Sequence, residues 1–233
     1  PITIMHLLII AALAPVAVLL WQILRRDAAN PEPPRMLAKA FLYGMISTAV
    51  TFVLLPFTEA LGDLIVLNDT ALSVAFKQAF FSAALPEEGA KLLMLWLLLR
   101  NNPYFDERFD GIVYAVCVGM GFAAVENVLY LFSNYDSWLS VGIVRALFAV
   151  PGHFFDAVIM GYYYSHYHFG TRRNPATKAL ILAAPVVAHG IYDGILFSYD
   201  IDDGVAMVAL ILFLIFFNRL KKTGRRLIDE LNV

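Results

Sequence analysis

The sequence predicts an all-α polytopic membrane protein, a bundle of about seven transmembrane helices with the N-terminus outside and the C-terminus cytoplasmic. Three observations predict it. Hydrophobic residues make up 60% of the 233 and charged residues 15%, with a mean hydropathy of +0.70, a balance typical of integral membrane proteins. Seven apolar runs reach the length of about 20 residues needed to cross a bilayer. Basic residues gather in alternate connections between those runs, the asymmetry that marks cytoplasmic loops.

The runs lie near 4–24, 36–57, 71–99, 109–133, 139–168, 178–198 and 204–220. None alternates with the period of a strand, and lipid-exposed backbone must be satisfied within a helix or a closed barrel, so each reads as a helix. The first run lacks a basic leader, Arg25-Arg26 follow it, and Pro15 sits directly after Ala12-Leu13-Ala14 where a signal peptidase would cut. It is therefore expected to be retained as a helix. After the second run, residues 58–70 read as a short link containing Asn68-Asp69. The third and fifth runs are long enough to tilt or to extend beyond the bilayer. The last is followed by Arg219, Lys221, Lys222, Arg225 and Arg226, expected to meet anionic headgroups. The whole, 1–233, reads as one membrane domain, with 71–198 as a four-helix core carrying the polar motifs.

Orientation follows from charge. Arg25, Arg26, Arg35 and Lys39, then Arg100 and Arg108, then Arg172, Arg173 and Lys178, then the tail, place 14 of the 17 basic residues in alternate connections. The intervening loops carry acids instead: Glu59, Asp63 and Asp69, then Asp136, then Asp200, Asp202 and Asp203. Cys117, the single cysteine, lies in an apolar run, which excludes an intrachain disulfide.

Ten charged or histidine side chains lie five or more residues inside the apolar runs: Lys77, Glu87, Glu88, Lys91, Glu126, Arg145, His153, Asp156, His189 and Asp193. A charge at the centre of a membrane helix costs about 2.5–3.5 kcal/mol even on the lenient insertion scale, so such residues usually face a polar cavity and mark function. Lys91 lies one turn after both Glu87 and Glu88, close enough to pair with one of them. The side chains of the doublet diverge by about 100° around the helix, so one lysine is not expected to satisfy both. Phe122, Glu126 and Tyr130 share a face, and Asn127 reads as interhelical hydrogen-bonding glue. Glu126 has no base within a turn, so its partner is expected from another helix, a proton or a metal. His153 and Asp156 are i,i+3 and His189 and Asp193 are i,i+4, an arrangement of imidazole ligand and carboxylate orienter. Arg145 is expected to pair with Asp156 or Asp193 or to extend outward; Lys77 lies nearer the outer surface and is assigned no role. Pro86, Pro151-Gly152 and Pro185 precede the polar residues of three helices and Gly119 and Gly121 those of a fourth, pointing to helices broken around a cavity.

Two chemistries fit this set. Glu126, His153 and His189 could hold a divalent metal, most simply zinc, with one open position for water and a free glutamate as general base. Alternatively, the Glu pair activates water without a metal and a histidine donates to the oxyanion. The absence of HExxH, of a nucleophile elbow and of GxGD removes three other membrane-protease classes.

Glu87-Glu88-x-x-Lys91, Phe122-x-x-x-Glu126-Asn127, His153 after Pro-Gly and His189-x-x-x-Asp193, in that order on four successive helices, resemble the PrsW family of intramembrane proteases. That family is distantly related to the CAAX prenyl proteases and the bacteriocin-processing membrane proteases, whose second motif carries His where this chain has Glu126. The resemblance spans about 71–198. It implies site-1-type cleavage of single-pass membrane proteins, anti-sigma factors among them, with Glu87, Glu88, Glu126, His153, His189 and Asp193 essential and Lys91 positioning the doublet. The implied setting is the plasma membrane of a bacterium or archaeon. The expected partners are the lipid bilayer and the substrate; no nucleic acid is expected, and nothing in the chain specifies an oligomeric state. Two other readings are open: a metal-dependent membrane lipid hydrolase, which would be expected to carry HxxxH near the C-terminus where this chain has HxxxD, and a proton-coupled transporter. The lack of an inverted repeat argues against the transporter.

Overall fold

A computed structural model describes residues 2–66, 69–170 and 173–232, the side chains of Ile2 and Thr3 excepted. Those residues form seven continuous helical segments and no strand. They are α1 (Ile2–Arg26), α2 (Pro34–Ile65), α3 (71–99), α4 (Arg108–Ser133), α5 (138–168), α6 (Pro175–Phe197) and α7 (Asp203–Leu231). Six of them, all but α3, are long and apolar enough to cross a membrane. Helix α3 spans 29 residues without a break, but Glu87, Glu88 and Lys91 fall in its middle and dilute its apolar character. An α-helix of that length reaches about 43 Å, enough to span a bilayer. All-α membrane architecture is thus what the chain adopts.

Two expected boundaries move. Helix α2 runs to Ile65, so most of the link expected over 58–70 is helical; Asn68, within it, lies outside the described residues, as does Arg172. The basic tail does not project freely. It continues α7 to Leu231, and Leu220, Leu227 and Ile228 are buried in the same core as Val16, Ile23 and Phe155. Arg26 on α1 pairs with Asp229 on this extension. The tail's apolar positions recur at helical spacing, which is why burial on one side continues while the basic side faces outward.

Helix α4 is the centre of the bundle. In its most apolar stretch 78% of residues are buried, against 22% in α1, 22% in α2 and 17% in α7. Glycines let its neighbours approach: a Cβ on Gly44 of α2 would lie 2.0 Å from the Val118 carbonyl oxygen, and one on Gly121 would lie 2.1 Å from that of Phe41. On the opposite face, a Cβ on Gly161 of α5 would sit 2.3 Å from the Gly111 oxygen. In a bilayer, where burial of apolar surface gives little drive for helix association, such close backbone packing supplies it. Gly121→Leu is therefore expected to separate α2 from α4 and to cost about 1–3 kcal/mol or more. Thermal unfolding in detergent would register this as a drop in Tm, and an unchanged Tm would show that the close approach carries no stability.

Candidate active site

Four helices converge on one polar cavity. Pro86 and Pro151 were expected to mark breaks, yet α3 and α5 stay helical through both, because a π-helical stretch precedes each one: Gln78–Ala84 before Pro86 and Arg145–Ala149 before Pro151. Proline lacks an N–H and its ring crowds the carbonyl four residues back. The wider turn leaves room for that ring, and its hydrogen bonds shift to a span of five residues, as in Leu85 N–H to Phe80 O and Val150 N–H to Arg145 O. Such insertions re-aim the side chains that follow, which explains their frequency at functional sites. Here they turn Glu87 and His153 toward the same space.

The cavity measures about 250 Å³, and its lining includes Glu87, Glu126, His153, Asp156, His189 and Asp193. Tyr130, Val144, Leu196 and Phe197, all more than a third exposed, form an apolar rim on its open side. Because α4 and α6 end and α5 begins at this rim, it faces one side of the membrane.

Lys91 sits at the centre of the charge network. Its ammonium lies 2.7 Å from Glu88 Oε1, 3.5 Å from Glu87 Oε2 and 3.2 Å from His153 Nδ1, and it rests 4.0 Å above the Phe122 ring. The lysine thus reaches both members of the doublet, which divergence around the helix had seemed to preclude; its flexible four-carbon stem places the charge between them. The two glutamates remain unequal. Glu88 is fully buried and also contacts His189 Nδ1 at 2.9 Å. Glu87 faces the cavity with 13% of its side chain exposed, and its Oε2 has no hydrogen-bond partner.

The histidines are held differently. A lysine ammonium only donates, so His153 Nδ1 accepts from Lys91 and the ring proton sits on Nε2, which donates to Glu126 Oε2 over 2.8 Å. His189 lies between two carboxylates, Glu88 at 2.9 Å and Asp193 at 3.2 Å. Asp193 thus lies against the histidine one turn before it. Asp156 does not orient His153: its Oδ1 is buried without a partner, and Lys91 and Glu126 from other helices hold that ring instead.

Arg145 pairs with neither Asp156 nor Asp193. Its Nη2 donates to Glu126 Oε2 over 2.6 Å, its Nε donates to Asn127 Oδ1 over 2.6 Å, and its guanidinium stacks 3.9 Å over Tyr130. The π-helical turn that begins at Arg145 aims it at α4. Asn127 donates onward to Ala12 O of α1, the interhelical bond expected of it. Lys77 stands apart, paired with Asp63 at 3.1 Å. Around the cavity, five carboxylates against Lys91 and Arg145 leave a formal excess of three negative charges.

One ligand atom each from Glu87, Glu88, His153 and His189 can be chosen so that all lie within 4.8 Å of one another, a group that could hold a metal ion. This group takes in the doublet and leaves out Glu126, the third ligand expected from the sequence, which is engaged by Arg145 and His153. Glu88 Oε2 and Glu87 Oε2 are buried and accept no hydrogen bond, although Glu87 Oε2 lies 3.5 Å from the Lys91 ammonium, an arrangement that suits a cation. Tyr192, on the cavity wall, was not anticipated, although its place three residues after His189 puts it on the same side of α6.

The model of a family described as PrsW family intramembrane metalloprotease matches residues 32–219. Protease PrsW of Clostridioides difficile (strain 630) is 33% identical over 217 residues, covering 89% of this chain and 85% of that protein. Protease PrsW of Geobacillus kaustophilus (strain HTA426) is 32% identical over 196 residues, covering 84% and 82%. Protease PrsW of Bacillus subtilis (strain 168) is 30% identical over 235 residues, covering 98% and 100%. No solved structure matches the chain significantly. With apolar helices around a buried cluster of glutamates and histidines, and with that likeness running through most of its length, the chain belongs to the PrsW family of intramembrane proteases.

Proposed function

We propose that the chain is an endopeptidase of the bacterial plasma membrane that cleaves single-pass membrane proteins at a bond drawn into the cavity between α3, α4, α5 and α6. The observation that carries this reading is the pair of adjacent glutamates, one locked and one facing the cavity, beside two histidines from other helices. Residues 71–198 form the catalytic core. The proposed orientation keeps the N-terminus outside and the basic loops cytoplasmic, which puts the cavity's apolar rim toward the outer side. Substrate enters laterally there, past Val144, Leu196 and Phe197, whose exposed apolar surface suits an incoming helix. The substrates to assay first are single-pass anti-sigma factors cut in the site-1 manner.

Glu87 is the general base, because it faces the cavity and its Oε2, 3.5 Å from Lys91, accepts no hydrogen bond. It takes the proton of the attacking water and returns it to the leaving amine, a role worth about 10²–10⁴-fold in rate. Glu88 and Lys91 are positioning residues. Lys91 sets the spacing of the doublet, and Glu88 fixes the ring of His189, whose other nitrogen Asp193 holds. Arg145 and Glu126 hold His153.

Of the four converging side chains, Glu87, Glu88, His153 and His189, the last three would hold a divalent metal and leave Glu87 free as the base, with Glu126 adjacent as a further carboxylate. Their mixture of imidazole and carboxylate donors suits zinc. Such an ion, when bound, supplies Lewis acidity for the scissile carbonyl. One observation supports a metal-free second reading: the Lys91 ammonium already contacts three of these four side chains. Elemental analysis of purified protein separates the two. Zinc at one equivalent, lost in His153→Ala and His189→Ala, is the expected result. Active wild type that contains no metal would transfer the reading to glutamate chemistry alone. Full cleavage of a verified substrate by Glu87→Ala or by Glu88→Ala would overturn both.

A further inference from the structure

A second group of buried acids lies far from the cavity, where the turn after α1 meets the start of α4. Asp27 and Glu32 come from the α1–α2 connection, and Glu107 and Asp110 open α4. Asp27 is 3% exposed, Glu32 5% and Asp110 0%. Among the described residues, none of the four forms an ion pair with a lysine or arginine, although Arg25 and Arg26 end α1 and Arg35 begins α2 on either side of the connection. Charges so buried call for a partner.

Part of the demand is met locally. Asp110 Oδ2 accepts the backbone N–H groups of Asp106 and Glu107 over 3.0 Å and 2.8 Å, closing a capping box with Glu107. Asp27 Oδ2 accepts from the Glu32 N–H over 3.2 Å, and the Tyr114 hydroxyl donates to Glu32 Oε2. The remaining oxygens of both aspartates, Asp27 Oδ1 and Asp110 Oδ1, are shielded from solvent and accept no donated hydrogen bond, and the Asp110 carboxyl lies against that of Glu32. A ligand oxygen from each of Asp27, Glu107 and Asp110 lies within 4.8 Å of the other two. Burial pushes Asp27 up to about 6, opposed by the Glu32 N–H and assisted by the charges of Glu32 and Glu107. Burial likewise raises Glu32.

The geometry points to a divalent-cation site at Asp27, Glu107 and Asp110 that clips the α1–α2 connection to the head of α4, separate from the active site. The donors are all oxygen, which selects a hard ion such as Mg²⁺, Ca²⁺ or Mn²⁺ over zinc. The ion would neutralise the two orphaned carboxylate oxygens and join segments about eighty residues apart in the chain. Its role is structural: it holds the central helix in the register that α4 needs to present Glu126, 16 residues after Asp110.

The test uses the full chain in detergent, with the active-site donors removed by the double substitution Glu87→Gln and His189→Ala so that Mn²⁺ bound there is not counted. One Mn²⁺ per chain is expected by electron paramagnetic resonance, without ¹⁴N coupling because no imidazole participates, and Mg²⁺ should displace it. Asp27→Asn and, as a milder change at the more exposed ligand, Glu107→Gln should each abolish that signal. In unsubstituted protein, Mg²⁺ or Ca²⁺ at about 100-fold above Kd should raise Tm by roughly 5–10 °C, and Glu107→Gln should lose this rise. The absence of both Mn²⁺ binding and a cation-dependent rise in Tm would overturn the site and leave proton sharing between the acids as the explanation. Mn²⁺ with ¹⁴N coupling, or binding undiminished in Glu107→Gln and Asp27→Asn, would overturn it equally.

Discussion

Glu87→Gln is expected to lower kcat by about 10²–10⁴-fold while leaving Tm near that of the unsubstituted protein. The magnitude is that of losing a positioned general base. Stability should be spared because Glu87 is the looser member of the doublet: it is 3.5 Å from Lys91, and its Oε2 makes no hydrogen bond. Glu88→Gln should behave differently. Glu88 is fully buried between Lys91 and His189, so neutralising it leaves Lys91 with the more distant Glu87 alone. Loss of one partner of a buried pair typically costs about 3–5 kcal/mol, so Glu88→Gln should lose both activity and Tm. Cleavage of a purified single-pass substrate, measured beside thermal unfolding, distinguishes the two variants. If Glu87→Gln cleaved at the unsubstituted rate, the assignment of Glu87 as base would be wrong whatever the metal content.

The second large effect concerns Arg145, which no motif of the family resemblance includes. Arg145→Met removes the guanidinium that holds Glu126 and Asn127 and covers Tyr130. Glu126 would then depend on His153 alone, and the cost should be about 3 kcal/mol of stability, or roughly 6–12 °C in Tm. Because Glu126 orients the His153 ring, kcat should fall by about 10²-fold, the scale of a 1 Å misplacement in an active site. Arg145→Lys should recover only part of this, since one ammonium does not reproduce a fork that reaches Glu126 and Asn127 together. Lysine restoring the full rate and Tm would reduce Arg145 to a source of charge. Unchanged kinetics in Arg145→Met would remove it from the site.

The helices were largely legible in the chain, and for a physical reason. Within lipid each segment must satisfy its own backbone hydrogen bonds, so an apolar run of sufficient length has little choice but to be a helix. Seven runs became seven helical segments, and the expected range 71–99 is the observed one. The apolar run near 204–220 stops short of the end of α7 at Leu231, because basic residues look like a boundary. Whether a basic helix continues along the protein depends on the apolar side it shows to its neighbours, here Leu220, Leu227 and Ile228 against α1 and α5.

Partners within a helix were also legible, because spacing of three or four residues sets them: Glu88 with Lys91, and His189 with Asp193. Partners between helices were not. That Arg145 reaches Glu126, that Lys91 and Glu126 rather than Asp156 hold His153, and that Asp27 meets Asp110 all depend on how far each helix is rotated and how closely it packs. Rotation is set by the two π-helical stretches before Pro86 and Pro151, and closeness by the glycine contacts on α4. The types of residue in the cavity, the segments that carry them and the order of those segments are properties of the amino-acid string. Which glutamate stays open to the cavity and which is locked is decided only when Lys91 and His189, 98 residues apart, close on the same carboxylate.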